Sequence, residues 1–460
     1  MIGMMKCIVI AMVLGFSLIS MMTASAGMFK LDDKWCAVGD SITHGGSYHE
    51  FVYLYYATRF PNQDIKVYNC GIGGDSAPGV LKRLKWDVLE LKPTVATIML
   101  GMNDVDVFSY GPVKNTPQDV QHHQERIDTY KENMHKLAKD LTDAGVRLIF
   151  ITPSIYDQTS TIETPVYIGA NDALGIMSRY VMELSKEFHG TLVDFHGPMT
   201  RLNEEQQKLD PQFALAGPDR VHPLDVGHLT MAYLFLKDQG APKYAASMGI
   251  DAASKKITQQ NNCKITRLKV KKGEVSFTVL ENALPFPVRE SARPALGIVP
   301  FMKDLNQEML QVKDLAPGRY HLWIDGKEIG IFDAVELEKG INLADVPETP
   351  QYRQAVKVAD LNQKRHDLAV NVLRNIAIVE YLYWPKRAEG PVTLEQIKPT
   401  VDKLIEQTKG QPWAGMLEAY IKFKPQEAQI NKDVEQLMVD MHKSAVPVPH
   451  KYVFKFTEDK

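Results

Sequence analysis

The chain has 460 residues, a formal net charge of −3, 45% hydrophobic and 24% charged residues, 30 Gly and 26 Pro. These fractions belong to an ordinary globular protein and exclude a mostly disordered chain, a collagen-like fibre and a polytopic membrane protein. A balance so near zero lacks the basic footprint of a nucleic-acid-binding domain, and at roughly 150 residues per domain the length leaves room for about three units.

Residues 1–26 read as a secretory signal peptide. A single Lys6 precedes the apolar run Cys7–Leu18, and Ala24-Ser25-Ala26 offers small residues before a cut. The run is shorter than the ~20 residues that span a bilayer. Cleavage is predicted after Ala26, giving a secreted or periplasmic protein with no stable membrane span. Cys7 comes too early for a lipoprotein signal. The remaining cysteines are Cys36, Cys70 and Cys263. An odd number excludes a complete disulfide framework. Cys36 and Cys70 close two apolar runs, and both a bridge and a pair of buried thiols are open to them.

From Lys34 to about Lys237 short apolar runs alternate with helical patterns. The runs are Lys34–Val38, Ile65–Asn69, Thr94–Leu100, Arg147–Ile151 and Thr191–Asp194. Between and after them, Tyr48–Phe60, Ala77–Leu91, Arg126–Ala144, Asn171–Phe188 and Val226–Lys237 carry apolar residues at helical spacing. This alternation predicts an α/β unit with a parallel sheet covered on both faces, and such sheets build their sites at the carboxyl ends of the strands. After about Gly249 the pattern becomes β-rich. Ile265–Leu280 reads as two strands, and Arg319–Ile324 turns at Asp325-Gly326 into Glu328–Phe332. Tyr320 and Trp323 in these strands are either core residues or exposed sugar-binding rings. From about Pro350 the chain turns helical, with one long pattern over Gln351–Tyr383 and two more over Thr393–Lys409 and Trp413–Ala445. The reading divides the chain into a leader (1–26), an α/β unit (27–249), a β-rich accessory region (250–349) and a helical C-terminal region (350–460), whose helices pack on the α/β unit or mediate oligomerisation.

Four short blocks fall at the predicted sheet edge. Ser41, in Gly39-Asp40-Ser41-Ile42-Thr43, follows the first strand directly, where it suits a nucleophile or a helix N-cap. Gly74, in Gly71-Ile72-Gly73-Gly74-Asp75, follows the second strand, where a backbone N–H can face an oxyanion or simply form a βα turn. Asn103, in Gly101-Met102-Asn103-Asp104, follows the third and offers a carboxamide donor or a turn residue. Asp219 and His222 stand three apart before the last helix of the unit, so the Asp can orient the imidazole as a base for Ser41. Asp225 and His228 have the same spacing but fall in that helix, which favours Asp219 and His222. No metal-ligand spacing occurs among the histidines, so no metal and no cofactor is expected.

Taken together, Gly39-Asp40-Ser41-Ile42, Gly74, Gly101-Met102-Asn103-Asp104 and Asp219-Arg220-Val221-His222 resemble the SGNH (GDSL-like) hydrolase family. Ile42 stands where the family name has Leu, as in the GDSIT subgroup in which many carbohydrate esterases occur, and Gly73 adds a glycine before Gly74. The resemblance implies a flavodoxin-like three-layer α/β/α fold and a metal-free serine esterase. In it Ser41, His222 and Asp219 are catalytic, and Ser41, Gly74 and Asn103 hold the oxyanion. The expected substrate is a small-molecule or polysaccharide ester, first of all an O-acetyl group on a carbohydrate. A lysophospholipase or thioesterase is the alternative within the family, and a catalytically inactive carbohydrate-binding protein the alternative outside it.

Overall fold

The computed structural model describes residues 29–45, 47–111, 116–411 and 413–457. The leader read in residues 1–26 lies outside them. Strands β1 (Lys34–Gly39), β2 (Lys66–Gly71), β3 (Val95–Met99), β4 (Arg147–Ile151) and β5 (Thr191–Val193) form a parallel sheet in the order β2-β1-β3-β4-β5. Helices α1 (Ser41–His44), α2 (Tyr48–Arg59), α3 (Ala77–Arg83), α4 (Pro117–Asp143), α5 (Ala170–Glu187), α6 (His196–Gln207) and α7 (Asp225–Asp238) connect and cover it. All of β3 is buried, as a strand covered on both faces must be. The α/β/α expectation holds.

Two helices depart from the sequence reading for physical reasons. Helix α4 begins at Pro117 and not at Arg126, because Thr116 and Asp119 form a reciprocal capping box there. Its first turns bury only His123, so no apolar stripe announces them. Helix α6 buries only Met199 and Asn203 and is equally silent in periodicity.

The second half builds a β sandwich and then returns to the first. Strands β6 (Tyr244–Asp251), β7 (Lys256–Asn261), β8 (Cys263–Lys271) and β9 (Glu274–Glu281) follow α7, so β6 runs across the boundary placed near Gly249. After a connection containing α8 (Phe301–Leu305) come β10 (Gln307–Lys313), β11 (Arg319–Ile324), β12 (Lys327–Asp333), α9 (Ala334–Lys339) and β13 (Ile341–Asn342). Sheets ordered β13-β10-β6-β7 and, with a final strand β14 (His450–Thr457), β12-β11-β14-β9-β8 share one apolar core. Tyr320 is buried in it and offers no exposed ring, while Trp323 is half-buried. The strand at 450–457 corrects the reading of 350–460 as helical throughout: it lies between β9 and β11 and ties the end of the chain into the sandwich.

The helical region contains α10 (Pro350–Leu368), a π turn at Ala369–Arg374, α11 (Asn375–Tyr383), α12 (Leu394–Gln407), α13 (Ala414–Phe423) and α14 (Glu427–Ala445). The long pattern over Gln351–Tyr383 is thus helical but interrupted by the π turn. The pattern over Trp413–Ala445 breaks at Lys424–Gln426, where Pro425 sits. Val358, Ala369, Val434, Met438, Met441 and Ala445 belong to the same core as the parallel sheet. All twelve residues of α2 are buried. The connection between β9 and β10 crosses it, with Leu284 N–H donating to Thr58 O at 2.9 Å and Phe286 packed edge-on against Phe51. Helix α10 adds a buried Arg365–Glu50 ion pair and α14 adds His442, whose Nε2 donates to Ile65 O at 3.2 Å.

A second ionic joint lies past the end of β2. Arg374 donates to both Asp87 oxygens at 2.7 and 3.0 Å, and Arg83 shares that carboxylate. Burial alone would raise the Asp87 carboxyl, but the two guanidinium groups outweigh it and hold it at about 2 against an ordinary 3.8.

Three outcomes are expected. Met438→Ala, far from β1 in sequence but in the same core, should cost about 2–5 kcal/mol of unfolding free energy. A chain ending at Gly249 should aggregate, because it strips the cover from α2; a soluble, cooperatively melting fragment would contradict this. Because Asp87 is depressed on folding, its contribution is complete above pH about 4 and is lost as pH falls towards the folded value. Asp87→Asn should therefore flatten the acid limb of a curve of Tm against pH between about 4 and 2, and an unaltered limb would contradict the pairing.

Candidate active site

β1 ends at Gly39 and the chain turns at once into α1, whose first residue is Ser41. Asp40 caps this short helix, accepting from Ile42 N–H at 2.9 Å. Burial pushes the Asp40 carboxyl up to about 7. Ser41 Oγ lies 2.7 Å from His222 Nε2, and His222 Nδ1 lies 2.6 Å from Asp219 Oδ2. A carboxylate only accepts, so Nδ1 carries the hydrogen and the neutral ring presents Nε2 as acceptor to the serine hydroxyl. Burial by itself would raise the Asp219 carboxyl. The N–H groups of His222 and Val221, at 2.8 and 3.0 Å, and the imidazole outweigh that and keep it below the usual range.

The turn bearing Asp219 and His222 is anchored by a residue the sequence reading passed over. Arg220, between them, is buried and has φ +69°, a conformation uncommon outside glycine. Its guanidinium donates to the carbonyls of Asp157, Ile162 and Thr164 at 3.0, 2.9 and 2.8 Å and to Ser160 Oγ at 2.9 Å. An arginine at this place in a sequence carries no signal of its own, since all but one of its partners are carbonyls that any residue has.

The other two blocks meet beside Ser41. Asp75 N–H donates to Ile72 O at 3.2 Å, closing a turn in which Gly74 has φ +77°, a position that favours glycine. A Cβ on Gly73 would stand 3.9 Å from Ser41 Cβ, which places the turn against the serine. Asn103 Nδ2 donates to Asp75 O at 2.8 Å, so the carboxamide is tied to the same turn. Arg126 of α4 holds that loop from behind, donating to Asn103 O and Asp104 O at 2.8 Å each. A cavity of about 380 Å³ opens over Ser41, Asn103 and His222. Tyr156, Tyr167 and Phe108 line it, and Phe108, 79% exposed, meets Tyr167 edge to face at 5.4 Å.

The competing pair does not meet. Asp225 engages Arg289 and Ser291, whereas His228 is buried against Tyr48, and burial lowers it to about 3. Cys36, Cys70 and Cys263 are free thiols, the first two buried. Among the described residues no group of three His, Cys, Asp or Glu side chains could hold a metal, and no helix is long and apolar enough to cross a membrane.

Residues 36–235 match the family described as GDSL-like lipase/acylhydrolase. A solved structure described as a gut microbial diltiazem-metabolizing enzyme is 32% identical, covers 94% of this chain and 99% of its own, and superposes with a TM-score of 0.86. An acetylxylan esterase of Geobacillus stearothermophilus is 26% identical over 232 residues, 45% of this chain and 94% of the relative. The chain belongs to the GDSL-like (SGNH) hydrolase family and is an ester or acyl hydrolase of that family.

The serine helix and the glycine turn are fitted to each other through backbone. A Cβ on Gly71 would fall 2.3 Å from the amide nitrogen of His44 in α1. Gly71→Ala should therefore displace α1 and destabilise the fold by about 1–3 kcal/mol, the usual cost of overpacking. A crystal structure of the variant with α1 unmoved would refute the fit.

Proposed function

We propose that this protein is an exported serine esterase that removes O-acetyl groups from carbohydrates. The observation that carries the reading is the line Asp219–His222–Ser41 opening into an aromatic-walled cavity. Ser41 Oγ attacks the ester carbonyl as its proton passes to His222 Nε2. Asp219 holds the ring and balances the imidazolium. The oxyanion is received by the amides of Ser41 and Gly74 and by the Asn103 carboxamide. The C–O bond to the alcohol then breaks, and the alcohol leaves with the proton from His222. A water deprotonated by His222 releases the acid and restores Ser41.

Support for an acetyl group on a sugar comes from three sides. The leader read in residues 1–26 gives access to extracellular polymers. The Geobacillus relative is named an acetylxylan esterase. Phe108 and Tyr167 line the cavity with apolar ring surface against which a sugar can pack, beside the polar Asn103, Asp106 and Thr164. The relative that shares nearly the whole chain favours a second reading, because it is named for metabolizing diltiazem, not a carbohydrate. The same rings would seat an aromatic alcohol.

Ser41→Ala should lose on the order of 10⁴-fold or more in kcat on 4-nitrophenyl acetate. Acid release should be fastest from acetyl esters and fall steeply from butanoyl to octanoyl. Among acetyl esters, acetylated xylo-oligosaccharides should outrun aryl acetates of equal leaving-group pKa. Preference for octanoyl would overturn the acetyl reading, and preference for the aryl acetates would favour the second one.

A further inference from the structure

We infer that Arg374, supplied by the C-terminal region, is a positioning residue for the oxyanion site of the hydrolase; the inference rests on the reading above, in which Gly74 and Asn103 receive the oxyanion. Arg374 sits in the π turn between α10 and α11 and is buried. Its Nε donates to Gly71 O at 3.1 Å, and its two terminal nitrogens grip Asp87 in a fork. Such a fork fixes direction as well as distance. Asp87 in turn holds Arg83, also buried. Arg83 Nε donates to Asp75 Oδ2 at 2.7 Å, its Nη1 to Cys70 O at 2.9 Å and its Nη2 to Gly39 O at 3.3 Å. The chain of contacts ends where the chemistry is placed. The Asp75 carbonyl fixes the Asn103 carboxamide, the Asp75 N–H closes the turn that sets Gly74, and Gly39 stands two residues before Ser41.

The arrangement has a direction. Without Arg374, Asp87 retains one buried cation, Arg83, and draws it away from Asp75. Asp75 then keeps the adjacent Ser76 N–H, at 2.9 Å on its other oxygen, and the Tyr381 hydroxyl, but no cation. The turn that sets the Gly74 amide and the carboxamide leaning on the Asp75 carbonyl lose their fixed aim. Charge on the oxyanion develops only in the transition state, so the loss falls on kcat and spares KM. A cluster that merely held two regions together would lower Tm and leave kcat of the folded enzyme alone.

The test uses the full chain and 4-nitrophenyl acetate. Arg374→Met should lower kcat about 10- to 100-fold, the scale of a small misplacement of reacting groups, with KM changed less than about threefold. Asn103→Ala should lower kcat on its own, and the double variant should lose clearly less than the product of the two single losses. Val401→Ala, in the separate small core of the C-terminal helices, should lower Tm and leave kcat unchanged. If Arg374→Met does not fold, Arg374→Lys carries the test, since it keeps the buried charge but not the fork, and its kcat should fall with KM held. Wild-type kcat in a folded Arg374 variant, or losses in Arg374→Met and Asn103→Ala that simply multiply, would overturn the positioning role while the oxyanion reading stands. Wild-type kcat in Asn103→Ala with an inactive Ser41→Ala would overturn the oxyanion reading itself, and the positioning role with it.

Discussion

Helix α2 has no solvent face, and much of the architecture follows from that. In a lone three-layer α/β unit a covering helix exposes one side. Here α7 and the sheet take one side of α2, while the β9–β10 connection, α10 and α14 take the other. The sequence YHEFVYLYYATR answers this with apolar and aromatic residues at eight of its twelve positions, Phe51–Ala57 without a break. A helix that is apolar all round belongs in the middle of a larger body. The β9–β10 connection, α10 and α14 are therefore parts of the hydrolase core, while the sandwich, closed by the strand at 450–457, keeps a core of its own.

Charged residues in such a helix need partners, and the partners come from distant sequence. Glu50 is met by Arg365, and Arg59 donates to Leu305 O at 2.9 Å. Buried ion pairs of this kind add little net stability over a well-packed apolar pair, but a lone member costs several kcal/mol. They act against misdocking more than for stability. A C-terminal region in the wrong register would leave Glu50 without its guanidinium and Asp75 and Asp87 sharing Arg83 alone, which disfavours other seatings of α10 and the π turn.

The parallel sheet was legible because its strands are short apolar runs and its helices carry clean stripes, as Ile127, Tyr130, Met134, Leu137 and Leu141 do in α4. The site was legible because each of its residues sits within a few positions of a strand end or of the last helix. What escaped were features whose meaning depends on long-range partners. Arg220 reads as any surface arginine until the carbonyls of residues 157–164 surround it. Arg374 reads as one more polar position on a long helix until the π turn and Asp87 are seen together. The final strand, KYVFKFT, alternates as a strand should, but it is short, follows a long helical stretch and pairs only with strands far back in the chain. The all-round apolar character of α2 was present in the sequence and would have joined the second half to the first.

The placement of the ionic joint follows from sheet topology. β2 is an edge strand of the parallel sheet, and an edge strand leaves one row of peptide groups without ladder partners. Carbonyls at the carboxyl end of such a strand lie beside the catalytic edge, where water or a loop would ordinarily satisfy them. Here the C-terminal region supplies the donors. His442 takes the carbonyl of Ile65 just before the strand, and Arg374 takes that of Gly71 at its end. An element recruited to cover an exposed edge is thereby brought against the loop that follows it. The cover and the catalytic loop become one packing problem, and the residue that solves it is a cation able to reach a carbonyl and a buried carboxylate at once. Lysine has the charge for this but not the fork, so the site calls for arginine.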